Sequence, residues 1–204
     1  MSEPTTVLTD YLLGTLSLVL AGRLMRSGLP PSTARRLWAA SFLALAVAAF
    51  VGGTWHGLGP DAPPSLRHGL WSITYTAIGL TDLLLLAGAA RALPRGARTV
   101  ALMLLMGRFV VYAALILERR EFRYVVYDYG ITLLLLFAFG LDLLRRRERS
   151  AGFVLGGALI SFAGGLVQAL HFGMHPQFNG NDLFHIIQMA GIWLFFRGGL
   201  LLRD

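Results

Sequence analysis

Along most of this chain the apolar residues neither alternate nor fall on a single helical stripe. They run on continuously for about 20 residues at a time, the length needed to cross a hydrocarbon layer as an α-helix. Seven such runs stand out: Leu8–Met25, Leu37–Gly57, Leu70–Ala90, Val100–Leu117, Tyr124–Leu144, Phe153–Phe172 and Leu183–Leu202. Each is bounded by charge, proline or glycine. Apolarity all round each run excludes surface-lying amphipathic helices. The pattern predicts an all-α, integral membrane bundle of seven transmembrane helices, forming a single domain over residues 1–204. Short connections make consecutive helices antiparallel neighbours. Glycines such as Gly156, Gly157, Gly164 and Gly165 of the sixth run fit close helix approach.

Composition sharpens this picture. The chain is 55% hydrophobic and 14% charged, with a mean hydropathy of +0.62, too apolar for an ordinary soluble domain. Cysteine is absent, which excludes disulfide and thiolate chemistry. The net charge of +7 comes from arginine alone, since there is no lysine. The arginines fall in clusters between apolar runs, so nucleic-acid binding is not expected. Arg23, Arg26, Arg35 and Arg36 follow the first run; Arg91, Arg95 and Arg98 follow the third. Arg145, Arg146, Arg147 and Arg149 follow the fifth, and Arg203 the seventh. On the opposite connections, Arg67, Arg119, Arg120 and Arg123 are offset by acids. The positive-inside rule then puts the N-terminus outside and the C-terminus in the cytoplasm. The first run follows Glu3 and precedes its arginines, the reverse of a cleavable signal. Arginine without lysine fits a bacterial inner membrane.

Three charges fall within the runs, where each costs several kcal/mol unless paired or hydrated. Asp82 and Arg108 lie about 13 and about 15 Å from the cytoplasmic ends of the third and fourth helices at 1.5 Å per residue. Matching depths suggest a structural ion pair; the other reading makes Asp82 a catalytic or proton-carrying group. Asp128 sits about 9 Å into the fifth helix from outside. Asp10, at the outer start of the first, is either an N-cap or a further carboxylate at that level.

The five histidines share one face. His171 and His175 are separated by four residues, the spacing with which a helix offers two imidazoles to one metal. Gln168 precedes them, and Asn181, His185 and Gln188 form a stripe across the loop. His56 ends the second run within a Gly52-Gly53-Thr54-Trp55-His56 stretch. His68 heads a polar face of Ser72, Thr76 and Gly79 that descends toward Asp82. Several imidazoles with carboxylates nearby satisfy in kind what an open zinc site requires.

Seven spans, an external N-terminus and histidines converging with an aspartate on one side resemble the CREST superfamily of membrane metal hydrolases. That group includes the alkaline ceramidases and the progestin/adiponectin-receptor-like proteins. Its hallmark is Ser-x-x-x-His in the second core helix, an aspartate in the next and His-x-x-x-His in the last. Here His56 matches the first histidine, with Gly52 in place of the serine. Asp82 lies deeper than the family aspartate, and the paired histidines come one helix early. The resemblance implies zinc, with metal-bound water attacking a membrane lipid amide or ester near the outer face. The expected metal ligands are His56, His68, His171, His175 and His185. Asp128 or Asp182 serves as base or orients a ligand, and Ser72 lines the substrate path. Two other readings stay open: haem held between histidines of facing helices for electron transfer, and a non-enzymatic seven-span sensor or transporter gated at Asp82 and Arg108.

Overall fold

The computed structural model describes residues 3–58, 61–170, 172–173, 175 and 178–202. Among them are seven α-helices, each long and apolar enough to cross a membrane. They are α1 (Pro4–Met25), α2 (Thr33–Leu58), α3 (Pro64–Ala90), α4 (Arg95–Arg119), α5 (Phe122–Arg145), α6 (Ala151–Ala169) and α7 (Gly180–Leu201). The all-helical bundle expected from the apolar runs is therefore present. Its helices mostly start several residues before the apolar runs do, because polar residues and proline continue the first turns. Pro4 and Pro64 occupy first-turn positions whose N–H groups have no helical partner anyway. At the other extreme α6 stops at Ala169, three residues short of the expected end.

Six helices form a ring in the order α1, α2, α3, α5, α6, α7, and α7 packs back on α1. The fourth helix stands outside the ring against α3 and α5, and only Tyr112 and Ile116 of its residues are buried. The face of the bundle that carries the start of α1 is called the N-terminal face below; the opposite one carries the end of α7.

The two halves of the ring differ in density. Toward the C-terminal face the core is solid, with Trp38, Phe42, Leu20, Leu24, Val154 and Phe195 almost wholly buried. Trp38 is its centre. Its indole N–H donates to the Leu85 carbonyl at 3.0 Å, and its ring meets Phe195 edge-on at 5.9 Å. Glycine makes that insertion possible: a Cβ on Gly88 would lie 2.3 Å from the Trp38 ring, and one on Gly199 would lie 3.0 Å from it. Toward the N-terminal face the ring opens into a cavity of about 650 Å³.

Candidate functional site

All six ring helices line the cavity, and α4 contributes nothing to it. Most of the wall is aliphatic and aromatic, with Leu13, Leu45, Ile78, Leu133, Ile192 and Phe195 among the lining side chains. Such a volume falls within the range of about 300–1,000 Å³ typical of small-molecule sites.

Polar groups gather at the end nearest the N-terminal face. His185, on the second turn of α7, places Nε2 3.3 Å from Asp10 Oδ1 of α1. Its Nδ1 is 3.1 Å from the Thr9 hydroxyl oxygen. That hydroxyl donates to the Thr6 carbonyl at 3.1 Å, as serine and threonine hydroxyls in helices often bond back along the helix. With its own hydrogen spent, Thr9 accepts from Nδ1–H, and the Nε2–Asp10 contact then holds one proton between its two atoms. Beside this pair, His56 at the end of α2 has Nδ1 2.5 Å from Glu3 Oε2, just ahead of α1. His56 and His185 are within electrostatic range of each other. Glu3, Asp10, His56 and His185 all line the cavity.

Local sequence explains how α1 and α2 come close enough. A Cβ on Gly53 would sit 2.8 Å from the Tyr11 ring and 2.9 Å from the Asp10 Cβ; one on Gly52 would lie 4.0 Å from Asp10 Oδ2. Tyr11 and Thr54 join their hydroxyls across the same contact at 3.0 Å. Trp55 and Trp71 pack at 4.5 Å behind His56, and Trp71 stacks on Tyr75 at 4.7 Å. One turn below His185, Gln188 accepts from the Tyr129 hydroxyl at 2.7 Å, and Gln168 donates to Asn181 at 3.0 Å.

Several expected site residues are placed elsewhere. Helix α6 ends at Ala169 with Leu170 as its cap, so His175 lies beyond it and outside any helix. His171 lies outside the described residues, and His175 is exposed in the following loop, exchanging backbone hydrogen bonds with Phe178. His68 is exposed on the second turn of α3, and neither it nor Ser72 lines the cavity. The face of α3 that does so runs through Trp71, Thr74, Ile78, Thr81, Asp82 and Leu85. Gly79, expected on the polar path, instead meets Tyr112 of α4. Asp182 is wholly buried as the N3 residue of a capping box, accepting from the Asn179 N–H at 2.7 Å while Asn179 caps α7 in return. Among the described residues, no three His, Asp or Glu side chains group as ligands for one metal ion.

The mid-membrane charges also pair differently. Arg108 takes Asp128, not Asp82, as its ion-pair partner. Its Nε donates to Asp128 Oδ1 at 2.7 Å, and its Nη2 to the Asp128 carbonyl and the Thr132 hydroxyl, both at 2.6 Å. Asp128 thus belongs to the α4–α5 contact and does not line the cavity beside the histidines. Asp82 lies next to this cluster, with Asp128, Arg108 and Thr132 as polar neighbours. It is 2% exposed and lines the deep part of the cavity, and its Oδ2 has no hydrogen-bond partner.

Sequence reasoning underrated Glu3 and Asp10. Asp10 is six residues inside α1 and caps nothing. The usable signal was positional: both acids sit at the face where the histidines collect.

Fold and site together define a seven-helix bundle with a one-sided apolar cavity and an acid–base cluster at its open end. Residues 5–204 match DUF6962, a family of unknown function, and the chain belongs to that family. A comparison with curated proteins finds no match.

Proposed function

We propose that this protein is a membrane-embedded hydrolase that holds one lipid in the cavity and cleaves its amide or ester linkage at the cluster of Glu3, Asp10, His56 and His185. One observation carries the reading: a lipid-sized apolar cavity ends in two histidine–carboxylate pairs drawn from α1, α2 and α7. Apolar walls hold chains, and the polar end meets the linkage at the level where a lipid turns from hydrocarbon to headgroup. The arginine distribution supports an orientation with that end outside, toward the periplasm of a bacterial inner membrane.

In this reading His56, oriented by Glu3, takes a proton from water as the water oxygen bonds to the carbonyl carbon. The proton held between Asp10 and His185 goes to the leaving oxygen or nitrogen as the old bond breaks. Water is the only co-reactant, and the products are a fatty acid and an alcohol or amine. Each proton transfer by a positioned side chain contributes about 10²–10⁴-fold. The zinc implied by the CREST resemblance does not fit the described donors as placed, because His185 spends both ring nitrogens, on Asp10 and Thr9, and among the described residues no three His, Asp or Glu side chains group around one ion. No step here runs through a metal. Haem held between two histidines is disfavoured for the same reason, since His185 has no ring nitrogen left to face that of His56.

The test is hydrolysis of radiolabelled ester- and amide-linked lipids by protein reconstituted in vesicles, comparing the native chain with His56→Ala and His185→Ala. Release of fatty acid by the native chain, lost in both variants, supports the reading. Equal release from all three overturns it.

A further inference from the structure

The cavity wall is not uniform around the ring, and the seam between α5 and α6 is where it changes. At the C-terminal half the two helices touch: a Cβ on Gly140 would lie 2.8 Å from the Leu155 side chain and 3.3 Å from its backbone nitrogen. At the other half Tyr129 of α5 still reaches Ser161 of α6, but beside it the packing opens. Gly130 of α5 and Gly165 of α6 both line the cavity, and a Cβ on either would meet nothing within 4 Å. On α5 Val126 is 40% exposed, and on α6 Phe162 and Leu166 are 50% and 53% exposed; these also line the cavity.

The neighbouring seam shows that this is no general looseness. Along α6–α7, contact persists over the whole length, with Gly157 against Phe195, Gly164 against Ile187 and Gly198 against Val154. Helix α6 therefore packs on α7 throughout, while its packing on α5 opens beside Gly165 and Gly130. By rise per residue, Gly130 lies about 12 Å and Gly165 about 6 Å below the ends of their helices at the N-terminal face. Asp10 and His185 lie about 9 and about 7.5 Å below the same face. The depth range spanned by the two sides of the gap brackets that of the acid–base cluster.

We infer that the opening between α5 and α6 at Gly130 and Gly165 is a lateral portal, through which a lipid of the leaflet on the N-terminal face slides into the cavity. This rests on the reading of the cavity as a lipid site and adds its route and its leaflet. A lipid moving sideways keeps its chains in hydrocarbon throughout, and it arrives with its linkage region at the depth of the cluster. The small residues at 130 and 165 keep the passage wide.

The chain has no cysteine, so the portal can be closed chemically. A Gly130→Cys/Gly165→Cys double variant is reconstituted in phosphatidylcholine vesicles containing a trace of diazirine-bearing phosphatidylcholine, then treated with a short cleavable bismaleimide. Photolabelling of cavity-lining peptides of α2 and α7 is measured before cross-linking, after it, and after cleavage. At least tenfold slower labelling in the cross-linked state, restored by cleavage, is expected. A Gly140→Cys/Leu155→Cys variant, cross-linked where the helices already touch, labels at the native rate, and each single cysteine variant at 130 or 165 after the same reagent labels faster than the cross-linked pair. Undiminished labelling with the 130–165 cross-link in place overturns the portal while leaving the cavity as a lipid site. Absence of cavity labelling in untreated native protein overturns both.

Discussion

Two polar clusters sit within this apolar bundle, and they are built on opposite plans. Around Arg108 the Nε and Nη2 donors are fully engaged: the guanidinium holds Asp128 by side chain and backbone and Thr132 by its hydroxyl, and it ties α4 to α5. The cluster at the N-terminal face is made of histidine–carboxylate pairs that border open space. Bonds that run from one helix to its neighbour mark the first as a joint; polar pairs that border the cavity mark the second as a place where a ligand can be met. A charge at membrane depth is therefore not by itself a sign of chemistry. Helix α4 needs the joint because little else of it is buried: Tyr112 fits into Gly79 and donates to the Tyr75 carbonyl at 2.7 Å.

The contrast breaks most sharply at the open cluster. His56→Ala should reduce lipid hydrolysis by about 10²–10⁴-fold, the usual value of a positioned acid or base, with an unchanged far-ultraviolet dichroism spectrum. An equal loss of helix would show the residue to be structural instead. At the joint the signs reverse. Arg108→Leu leaves Asp128 without its cation, beside the Asp82 carboxyl, and should lower stability by about 3–5 kcal/mol, as when one partner of a buried pair is removed. Denaturation in mixed detergent micelles measures this, and the Arg108→Leu/Asp128→Leu double variant should regain most of the loss. If the double variant is as unstable as the single, the pair is not what holds α4.

Smaller effects test the fit around the joint. Gly79→Ala places a methyl group 2.2 Å from the Tyr112 ring; it should cost about 1–3 kcal/mol, the usual penalty of overpacking. Gly130→Ala, with nothing near its Cβ, should stay within about 1 kcal/mol of native, on the stabilising side because alanine favours helix. Asp82→Asn should move stability least, by less than about 1 kcal/mol, since the amide keeps both a donor and an acceptor for Asp128 and Thr132 and Arg108 pairs with Asp128 instead. A large drop there would place Asp82 inside the joint.

The seven helices were legible because membrane-length apolarity is a signal carried by nearly every residue of a run. Their ends were not, since Thr33, Arg95 and Gly180 are read as connection by hydropathy yet continue the helical hydrogen bonding. The same weakness undid the His171/His175 pair: Leu170 is as apolar as its neighbours but caps α6. Counting residues from helix ends matched Asp82 to Arg108 in depth, but arginine is long enough to choose among carboxylates at different levels, and it reaches Asp128. The polar face of α3 was misjudged by its angle. Ser72 and Thr76 looked like a path because they are polar, whereas the lining face mixes Trp71, Thr74 and Ile78. His56 and His185 were named from the sequence; their carboxylates come from Glu3 and Asp10, 175 or more residues from His185 along the chain, beyond any local pattern.

The wedge of Trp38 between α3 and α7 has a kinetic consequence. Among the described residues it stops the cavity toward the C-terminal face as a cork stops a bottle. Whatever enters leaves again on the side of the N-terminal face. On the proposed reading a released fatty acid shares the apolar chamber with the next substrate, so it should act as a competitive inhibitor.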